Sequence, residues 1–172
     1  MKKIILILCF SAACLPTYAG ENPIKQWTSE LSPKFSIRRD FGKTATNFDG
    51  TYGIFVTDYI KPEVGLGLLF SENLDAQAFG LGVSFYGNDD EAEAIPFIGI
   101  AEGVVSTNVK QGTTKSDRTT LLVTAPHIGL LIPINKNIAV DVEFIYERWS
   151  GDKAGVGATN HWRIPLGFSV FF

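Results

Sequence analysis

The last twelve residues of the chain, His161–Phe172 (HWRIPLGFSVFF), give the clearest indication of the fold, because large apolar residues occupy every second position. Large apolar side chains occupy the even positions: Trp162, Ile164, Leu166, Phe168, Val170 and Phe172. The odd positions are mostly small or polar and include Arg163, Gly167 and Ser169. A period of two is typical of a β-strand, whose successive side chains point to opposite faces. The segment is therefore predicted to be a strand with one wholly apolar face.

The same alternation recurs upstream, and the small residues within it indicate which face points inward. In residues 64–70 and 78–84, the face opposite the large apolar side chains is mostly glycine and alanine, with almost no lysine or glutamate. Glycine weakens a strand whose outer face is solvated. It suits the interior of a narrow barrel, where little room is left for side chains. We therefore expect the large residues to face lipid and the small or polar ones to face a lumen.

The alternating segments predict an all-β fold, an eight-stranded antiparallel transmembrane β-barrel with up-and-down meander order. Each segment has about the length of a tilted transmembrane strand, roughly 9–11 residues. The predicted strands are 34–42, 47–60, 63–72, 76–86, 96–106, 119–132, 138–149 and 160–172. Periplasmic turns are expected at Lys61–Pro62, 88–95 and 133–137, and exterior loops at 43–46, 73–75, 107–118 and 150–159.

The N-terminus has the features of a secretory signal peptide, predicted to span residues 1–19 and to be cleaved near Ala19. Two lysines precede an apolar stretch at 4–10 that is too short for a permanent membrane anchor. A lipoprotein signal with Cys14 as the lipidated residue is the alternative. Residues 20–33 are predicted to be a periplasmic lead-in, and residues 34–172 the transmembrane barrel.

Cleavage at that position changes the composition of the mature chain. Both cysteines, Cys9 and Cys14, leave with the signal, so no disulfide, thiolate nucleophile or thiolate metal site is expected. The 19% of charged residues lies below the roughly 25% of an average soluble domain. With 45% hydrophobic residues disorder is excluded. A formal charge of -3 without a basic cluster argues against nucleic acid as a partner.

The terminal Gly-Phe-Ser-Val-Phe-Phe resembles the C-terminal signature of bacterial outer-membrane β-barrels. Residues 52–68 and 126–140 are similar to the strand, short turn, strand units of the small barrels of that family. The resemblance covers roughly 34–172 and implies a place in the Gram-negative outer membrane, in contact with its lipids and lipopolysaccharide. It also implies the barrel-assembly machinery as a partner during biogenesis. The assembly-signal residues implied by the resemblance are Phe168, Val170 and Phe172.

Charged residues on the inner faces of the predicted strands are the candidate site. They are Arg38, Asp40, Asp141, Glu143, Glu147, His161 and Arg163. Because the last strand closes against the first, Arg163 and His161 are expected to meet both Asp141 with Glu143 and Arg38 with Asp40. Buried charges need partners, so the set is interpreted as a plug of ion pairs. A narrow channel for small solutes or ions is the alternative.

The sequence offers little support for catalysis. Lipid A deacylases of this barrel type carry a His-x-Ser pair on one strand, and neither His127 nor His161 is followed by serine at that spacing. The acidic stretch 88–93 lacks the glycine and ligand spacing of a calcium loop. No catalytic, metal-binding or cofactor-binding residue is therefore predicted, and no cofactor.

The predicted function is that of an integral outer-membrane protein with a structural or surface-interaction role. A lipid A-modifying enzyme and a soluble ligand-binding barrel are less favoured alternatives. The loop 107–118 carries three basic residues and one acid and could contact lipopolysaccharide or an unidentified surface ligand. Aromatic residues near strand ends are assigned to the girdles of the membrane interface: Tyr52, Tyr59, Tyr146, Trp149 and Trp162.

Overall fold

The computed structural model describes residues 22–40, 43–72, 74–87, 92–111, 114–115, 119–151 and 159–172. The predicted signal peptide and much of the acidic stretch 88–93 lie outside them. Within the described residues the chain forms eight long strands. They are β1 Ser29–Asp40, β2 Lys43–Ile54, β3 Ile60–Ser71, β4 Leu74–Tyr86, β5 Ile95–Gln111, β6 Thr119–Asn135, β7 Ile138–Ser150 and β8, which comprises Thr159–Arg163 and Leu166–Phe171. A two-residue strand, Thr114–Lys115, pairs with the end of β5.

The strands form one closed antiparallel barrel. Each long strand pairs with the next along the chain, and both parts of β8 pair with β7. The second part also pairs with β1, as in Glu30 with Phe171, and this closes the sheet on itself. The predicted eight-stranded up-and-down meander is confirmed. No helix in the described residues is long and apolar enough to cross a membrane.

The side chains of the barrel are distributed as the alternation predicts. In β8, Trp162, Phe168 and Phe172 face outward with 65%, 56% and 67% of their surface exposed. The intervening Arg163 and Ser169 are buried in the lumen. The outer wall is therefore apolar, and much of the inner wall is polar.

The lumen has an apolar layer at each end. At the end where β1 begins and β8 ends, here called the terminal end, one buried cluster contains Ile24, Phe55, Tyr86, Ile95, Phe97, Leu131, Ala139 and Phe171. At the opposite end, called the loop end, a second cluster contains Ala45, Leu69, Ala76, Val105, Leu121 and Trp149. The ionic side chains lie between these two layers.

Trp149 corrects one sequence prediction. It was assigned to an aromatic girdle facing lipid, but only 6% of it is exposed, and it belongs to the loop-end cluster. The guanidinium of Arg38 lies 5.1 Å from its ring centroid, and the His161 ring packs at 4.7 Å. The other four assigned aromatics face outward, between 40% and 65% exposed.

The first turn at the terminal end lies earlier than predicted. The expected turn at Lys61–Pro62 is wrong, because both residues belong to β3. The chain instead turns between Phe55 and Tyr59, where the Thr57 hydroxyl accepts hydrogen bonds from the amides of Tyr59 and Ile60 at 3.2 and 3.1 Å. A charged dipeptide containing proline resembles a turn, but here the lysine side chain is buried in the lumen.

The first strand also begins five residues earlier than predicted, at Ser29 rather than at 34. Pro33 had been interpreted as part of the lead-in. Its side chain faces outward and it pairs with Gly50 of β2, so the strand continues through it. The N-terminal segment is tied to the first turn, since the amide of Trp27 donates to the Phe55 carbonyl at 2.6 Å.

Two glycines are required by close backbone approach. A Cβ at Gly167 would lie 2.3 Å from the Pro33 carbonyl oxygen, across the seam that closes the barrel. A Cβ at Gly103 would lie 2.2 Å from the carbonyl oxygen of Phe79 in β4. At Gly50, by contrast, a Cβ would meet nothing within 4 Å.

Candidate functional site

The candidate site is the ionic layer of the lumen between the two apolar clusters. It comprises six carboxylates and four basic side chains from β1, β2, β3, β7 and β8. The carboxylates are Glu30, Asp49, Glu63, Asp141, Glu143 and Glu147, and the bases are Lys34, Arg38, Lys61 and Arg163. Strand alternation brings them inward, and the closure of β8 against β1 brings the two ends of the chain together.

The group nearest the terminal end is centred on Lys61. Its ammonium lies 2.9 Å from Glu30 Oε2 and 3.0 Å from Glu63 Oε2, and all three side chains are at most 7% exposed. It also lies 5.2 Å from the ring centroid of Tyr86 and 5.9 Å from that of Phe55. The cation is thus held between two carboxylates and the electron-rich faces of the terminal-end cluster.

The middle group is centred on Lys34. Its ammonium lies 3.0 Å from Asp141 Oδ2 and 2.5 Å from Glu143 Oε1. Two hydroxyls connect this group to the first, because Ser32 donates to Asp141 at 3.1 Å and Ser169 donates to Glu30 at 2.8 Å. The Ser169 hydroxyl oxygen also lies 3.1 Å from that of Ser32, so the two hydroxyls are in contact while each donates its single proton to a carboxylate.

The group nearest the loop end is centred on Glu147. It accepts from Arg163 Nε at 2.7 Å, from Arg38 at 3.1 Å and from the indole N–H of Trp149 at 3.1 Å. Arg163 also forms an ion pair with Asp49 of β2. Both oxygens of the buried Glu147 carboxylate are therefore bonded to cations.

Five of the seven predicted lumen residues lie in this layer, although their pairing differs from the prediction. Arg163 pairs with Glu147 and Asp49, rather than with Asp141 and Glu143, which pair with Lys34. Of the remaining two, His161 lies in the lumen near the loop end, where its Nε2 is 3.2 Å from the Thr159 hydroxyl. The side chain of Asp40 lies outside the described residues.

Sequence reasoning missed several members of the network. Lys34 and Glu30 lay next to or within the assigned lead-in, Lys61 in an assigned turn, and Asp49 in a strand whose inward face was not considered. The alternation alone would have identified Asp49, since it lies two residues from Asn47 and Thr51 on the inner face of β2. Lys61 would have followed from extending the period of β3 by two residues.

The structure gives His127 a serine partner that the sequence did not indicate. No serine follows it at the expected spacing, but the Ser84 hydroxyl of β4, on the other side of β5, lies 3.0 Å from His127 Nε2. Ser84 donates a hydrogen bond to Glu63 Oε1 at 3.1 Å. The other ring nitrogen, Nδ1, faces the Ala125 carbonyl at 3.3 Å. A serine, a histidine and an acid therefore do meet, inside the lumen. Ser84 is only 1% exposed and points away from the outer wall.

A cavity of about 140 Å³ lies beside the ionic layer. Its walls differ: Gly65, Gly67, Gly82, Ala78 and Ala101 line one side, and Lys34, Asp49, Glu143, Glu147 and Arg163 contribute to the other. Thr51 Oγ1 also faces this polar region and has no hydrogen-bond partner among the described residues. A space of this size is large enough for several water molecules. The small residues thus leave room that the charged wall does not fill.

Metal ions in proteins are held by particular arrangements of side chains. Within the described part of the chain, no group of three or more histidine, cysteine, aspartate or glutamate side chains is arranged to hold a metal ion. The geometry of the lumen is that of paired charges.

The closed eight-stranded antiparallel barrel, with apolar residues outside and ion pairs inside, is the fold of the small outer-membrane β-barrels. Neither the comparison with protein-family models nor that with curated protein sequences gives a match. Solved structures do match. The N-terminal β-barrel domain of Pseudomonas aeruginosa OprF aligns with a TM-score of 0.65 and 16% identity, over 86% of this chain and 98% of that one.

Two further structures extend the comparison. Neisserial surface protein A aligns with a TM-score of 0.67 and 11% identity, over 85% of this chain and 96% of that one. The outer membrane enzyme PagL aligns with a TM-score of 0.53 and 13% identity, over 82% and 98% of the two chains. At these identities the likeness establishes the fold, which proteins with and without catalytic activity share.

Proposed function

We propose that the protein is an integral protein of the Gram-negative outer membrane with a structural or surface-interaction role, and that a network of ion pairs fills its lumen. The observation that carries this proposal is the inverted distribution of side chains. Outward positions hold residues such as Leu66 and Leu81, 64% and 63% exposed, whereas Glu30, Lys61 and Asp141 are at most 2% exposed inside. In water this arrangement would expose a large apolar surface, while in lipid it is favourable.

The route to that membrane involves both ends of the chain. The signal peptide directs the chain to the periplasm, and the barrel-assembly machinery recognises the C-terminal strand. Phe168, Val170 and Phe172 support this role, because all three lie on the outward face of the last strand and are exposed. Lipids and lipopolysaccharide then surround the apolar wall.

Cell fractionation tests the location. The folded protein is expected in the outer-membrane fraction, and its mobility on a gel is expected to change when the sample is heated, as a closed barrel unfolds. Recovery as a soluble periplasmic protein would contradict the proposal.

The filled lumen favours a structural role over conduction. The apolar clusters close both ends, with Phe55 and Phe171 fully buried at one and Leu121 and Trp149 at the other. The cavity between them is bordered by side chains already engaged in ion pairs. In planar bilayers the purified protein is expected to give no discrete conductance steps. Reproducible steps that depend on protein concentration would favour the narrow channel instead.

The surface role rests on the loop end. There the β5–β6 hairpin extends beyond the barrel through the pairing of Lys110–Gln111 with Thr114–Lys115. One structural neighbour, the neisserial protein, is itself described as a surface protein. A polar hairpin that projects from the membrane is suited to contact lipopolysaccharide headgroups or another surface ligand.

Catalysis on lipid A is not part of the proposal. The meeting of Ser84, His127 and Glu63 supplies a nucleophile, a base and an acid, but on the lumen side of β4 and β6, where an acyl chain in the membrane does not reach them. Mass spectrometry of lipid A from cells that overproduce the protein is expected to show no change. Loss of an acyl chain that is abolished by Ser84→Ala would contradict this.

A further inference from the structure

One face of the outer wall differs from the rest because it carries charge at a level that is otherwise apolar. Glu102 lies on the outward face of β5 and is exposed. Its outward neighbours along the strand are Ile100 and Val104, 44% and 42% exposed, and Leu81 of β4 lies directly beside it. A carboxylate on a lipid-facing position is costly, and such residues usually mark a functional contact with a specific partner.

A second exposed charge, Arg148, lies two strands away in the same row. Glu102 pairs across the ladder with Thr124 of β6, and Thr124 pairs with Arg148 of β7. Neighbouring strands are about 4.8 Å apart, so the two charges lie on either side of Thr124 at nearly equal distances. Within the described residues, neither Glu102 nor Arg148 forms an ion pair.

This row is complementary to itself under a two-fold rotation. An axis parallel to the barrel axis and next to β6 would place Glu102 of one copy opposite Arg148 of the other, and the reverse contact would form at the same time. In a barrel whose strands tilt by about 40°, the row is inclined, and Arg148 lies about 6 Å higher than Glu102. The long arginine side chain spans that difference. Thr124, at the centre, is small enough for the two walls to approach closely.

We propose that the outer face of β5, β6 and β7 is a homodimer interface, in which two symmetry-related Glu102–Arg148 ion pairs form where the apolar outer wall meets the loop end. An isologous contact of this kind uses one patch twice, as in most symmetric dimers. The exposed apolar side chains around the row, such as Leu122 at 63%, pack against their counterparts. The Glu102 carboxylate, which has apolar neighbours and no ion pair in one copy, thereby gains a cation from the other copy, and the contact between the two walls shields the pair from water.

Cross-linking in membranes tests the proposal. Thr124→Cys, at the centre of the interface, is expected to give a dimer with a short bifunctional thiol reagent. The matched control is Phe48→Cys, which faces outward on β2, four strands away on the opposite wall of the barrel. If Thr124→Cys cross-links no more than Phe48→Cys, the proposal is overturned.

Charge reversal then identifies the partner. In the Thr124→Cys background, Glu102→Arg and Arg148→Glu are each expected to lower the dimer yield at least about tenfold, because like charges then face each other. The double variant Glu102→Arg/Arg148→Glu is expected to restore it. Loss in both single variants without restoration in the double variant would show that Glu102 and Arg148 do not pair with each other, and would overturn the proposed arrangement of the dimer.

The dimer proposal rests on the membrane location proposed above, and different measurements would contradict each of the two. Heat-modifiable mobility and fractionation report insertion of each variant, whereas the cross-link reports only association. A reversal variant that does not insert is replaced by Glu102→Gln or Arg148→Gln, which adds no like charge. Inserted glutamine variants that cross-link as well as Thr124→Cys alone would overturn the ion pair as the basis of the dimer.

Discussion

Replacement of Lys34 by methionine tests the ionic layer most directly. The ammonium is the common partner of Asp141 and Glu143, and the three side chains are 4%, 2% and 6% exposed. Methionine has a similar length but no charge, so the substitution leaves two buried carboxylates facing each other without their cation. Asp141 would still accept a hydrogen bond from the Ser32 hydroxyl, but this donor is neutral.

The expected magnitude follows from the geometry. A unit-charge contact near 3 Å at an effective dielectric of about 20 corresponds to about 5 kcal/mol, and part of this is offset by the cost of desolvating the ammonium. Removal of one partner from a buried ion pair costs about 3–5 kcal/mol in measured cases. We therefore expect Lys34→Met to lower the free energy of unfolding by about 3–5 kcal/mol.

The measurement is urea unfolding of the protein in lipid vesicles, followed by tryptophan fluorescence and extrapolated linearly to zero denaturant. Lys136→Met, at an exposed turn, is the matched control and should change the value by less than about 0.5 kcal/mol. The triple variant Lys34→Met/Asp141→Asn/Glu143→Gln should recover at least about 2 kcal/mol, because it removes the uncompensated charges. A loss below about 1 kcal/mol in Lys34→Met, or a triple variant no more stable than it, would refute the reasoning.

Three further predictions follow from individual contacts. Gly103→Ala is expected to lower the free energy of unfolding by about 1–3 kcal/mol, because its Cβ would collide with a backbone carbonyl. Gly50→Ala, whose Cβ would meet open space, should be nearly neutral in the same urea titration. Equal effects of the two substitutions would contradict the close approach at Gly103. In single-tryptophan variants, bromine-labelled lipid chains should quench the fluorescence of Trp162, which is 65% exposed, but not that of Trp149, which is 6% exposed. Strong quenching of Trp149 would show that it faces lipid and would contradict its place in the lumen. Deletion of Phe172, whose amide and carbonyl both bond to Ser29 of β1 at 3.0 and 2.9 Å, should lower the amount of folded protein in the outer membrane, measured by heat-modifiable mobility; an unchanged amount would count against its role in assembly.

The strands that were placed correctly are those with an uninterrupted alternation. The β7 segment was predicted at 138–149 and is observed at Ile138–Ser150, because its alternation between buried and outward positions runs unbroken and places Asp141, Glu143 and Glu147 on the inward face. The prediction of the first turn was wrong because Phe55, an aromatic residue on the inward side, interrupts the alternation of polar and apolar residues before the turn. Its burial depends on Tyr86 and Phe171, at 5.0 and 6.4 Å between ring centroids, which come from distant parts of the chain.

The partners inside the lumen follow the same logic. The sequence indicates that Asp141, Glu143 and Arg163 face inward, and this depends only on the period of each strand. Which cation meets which carboxylate depends on how far each strand is shifted relative to its neighbours, and turn lengths and closure set that shift. A displacement of two residues keeps a side chain in the lumen but changes its partner, so Lys34 and not Arg163 lies beside Asp141.

The period of each segment is therefore enough to predict a barrel of antiparallel strands and, with the exception of Trp149, the side chains assigned to its outer face, because alternation is a property of each strand alone. The ion pairs, the contact of Ser84 with His127, the apolar layers at the two ends and the outer row of Glu102, Thr124 and Arg148 are seen only in the folded barrel. All of these join residues from different strands. Their positions follow from the register of the closed sheet, which local sequence does not encode.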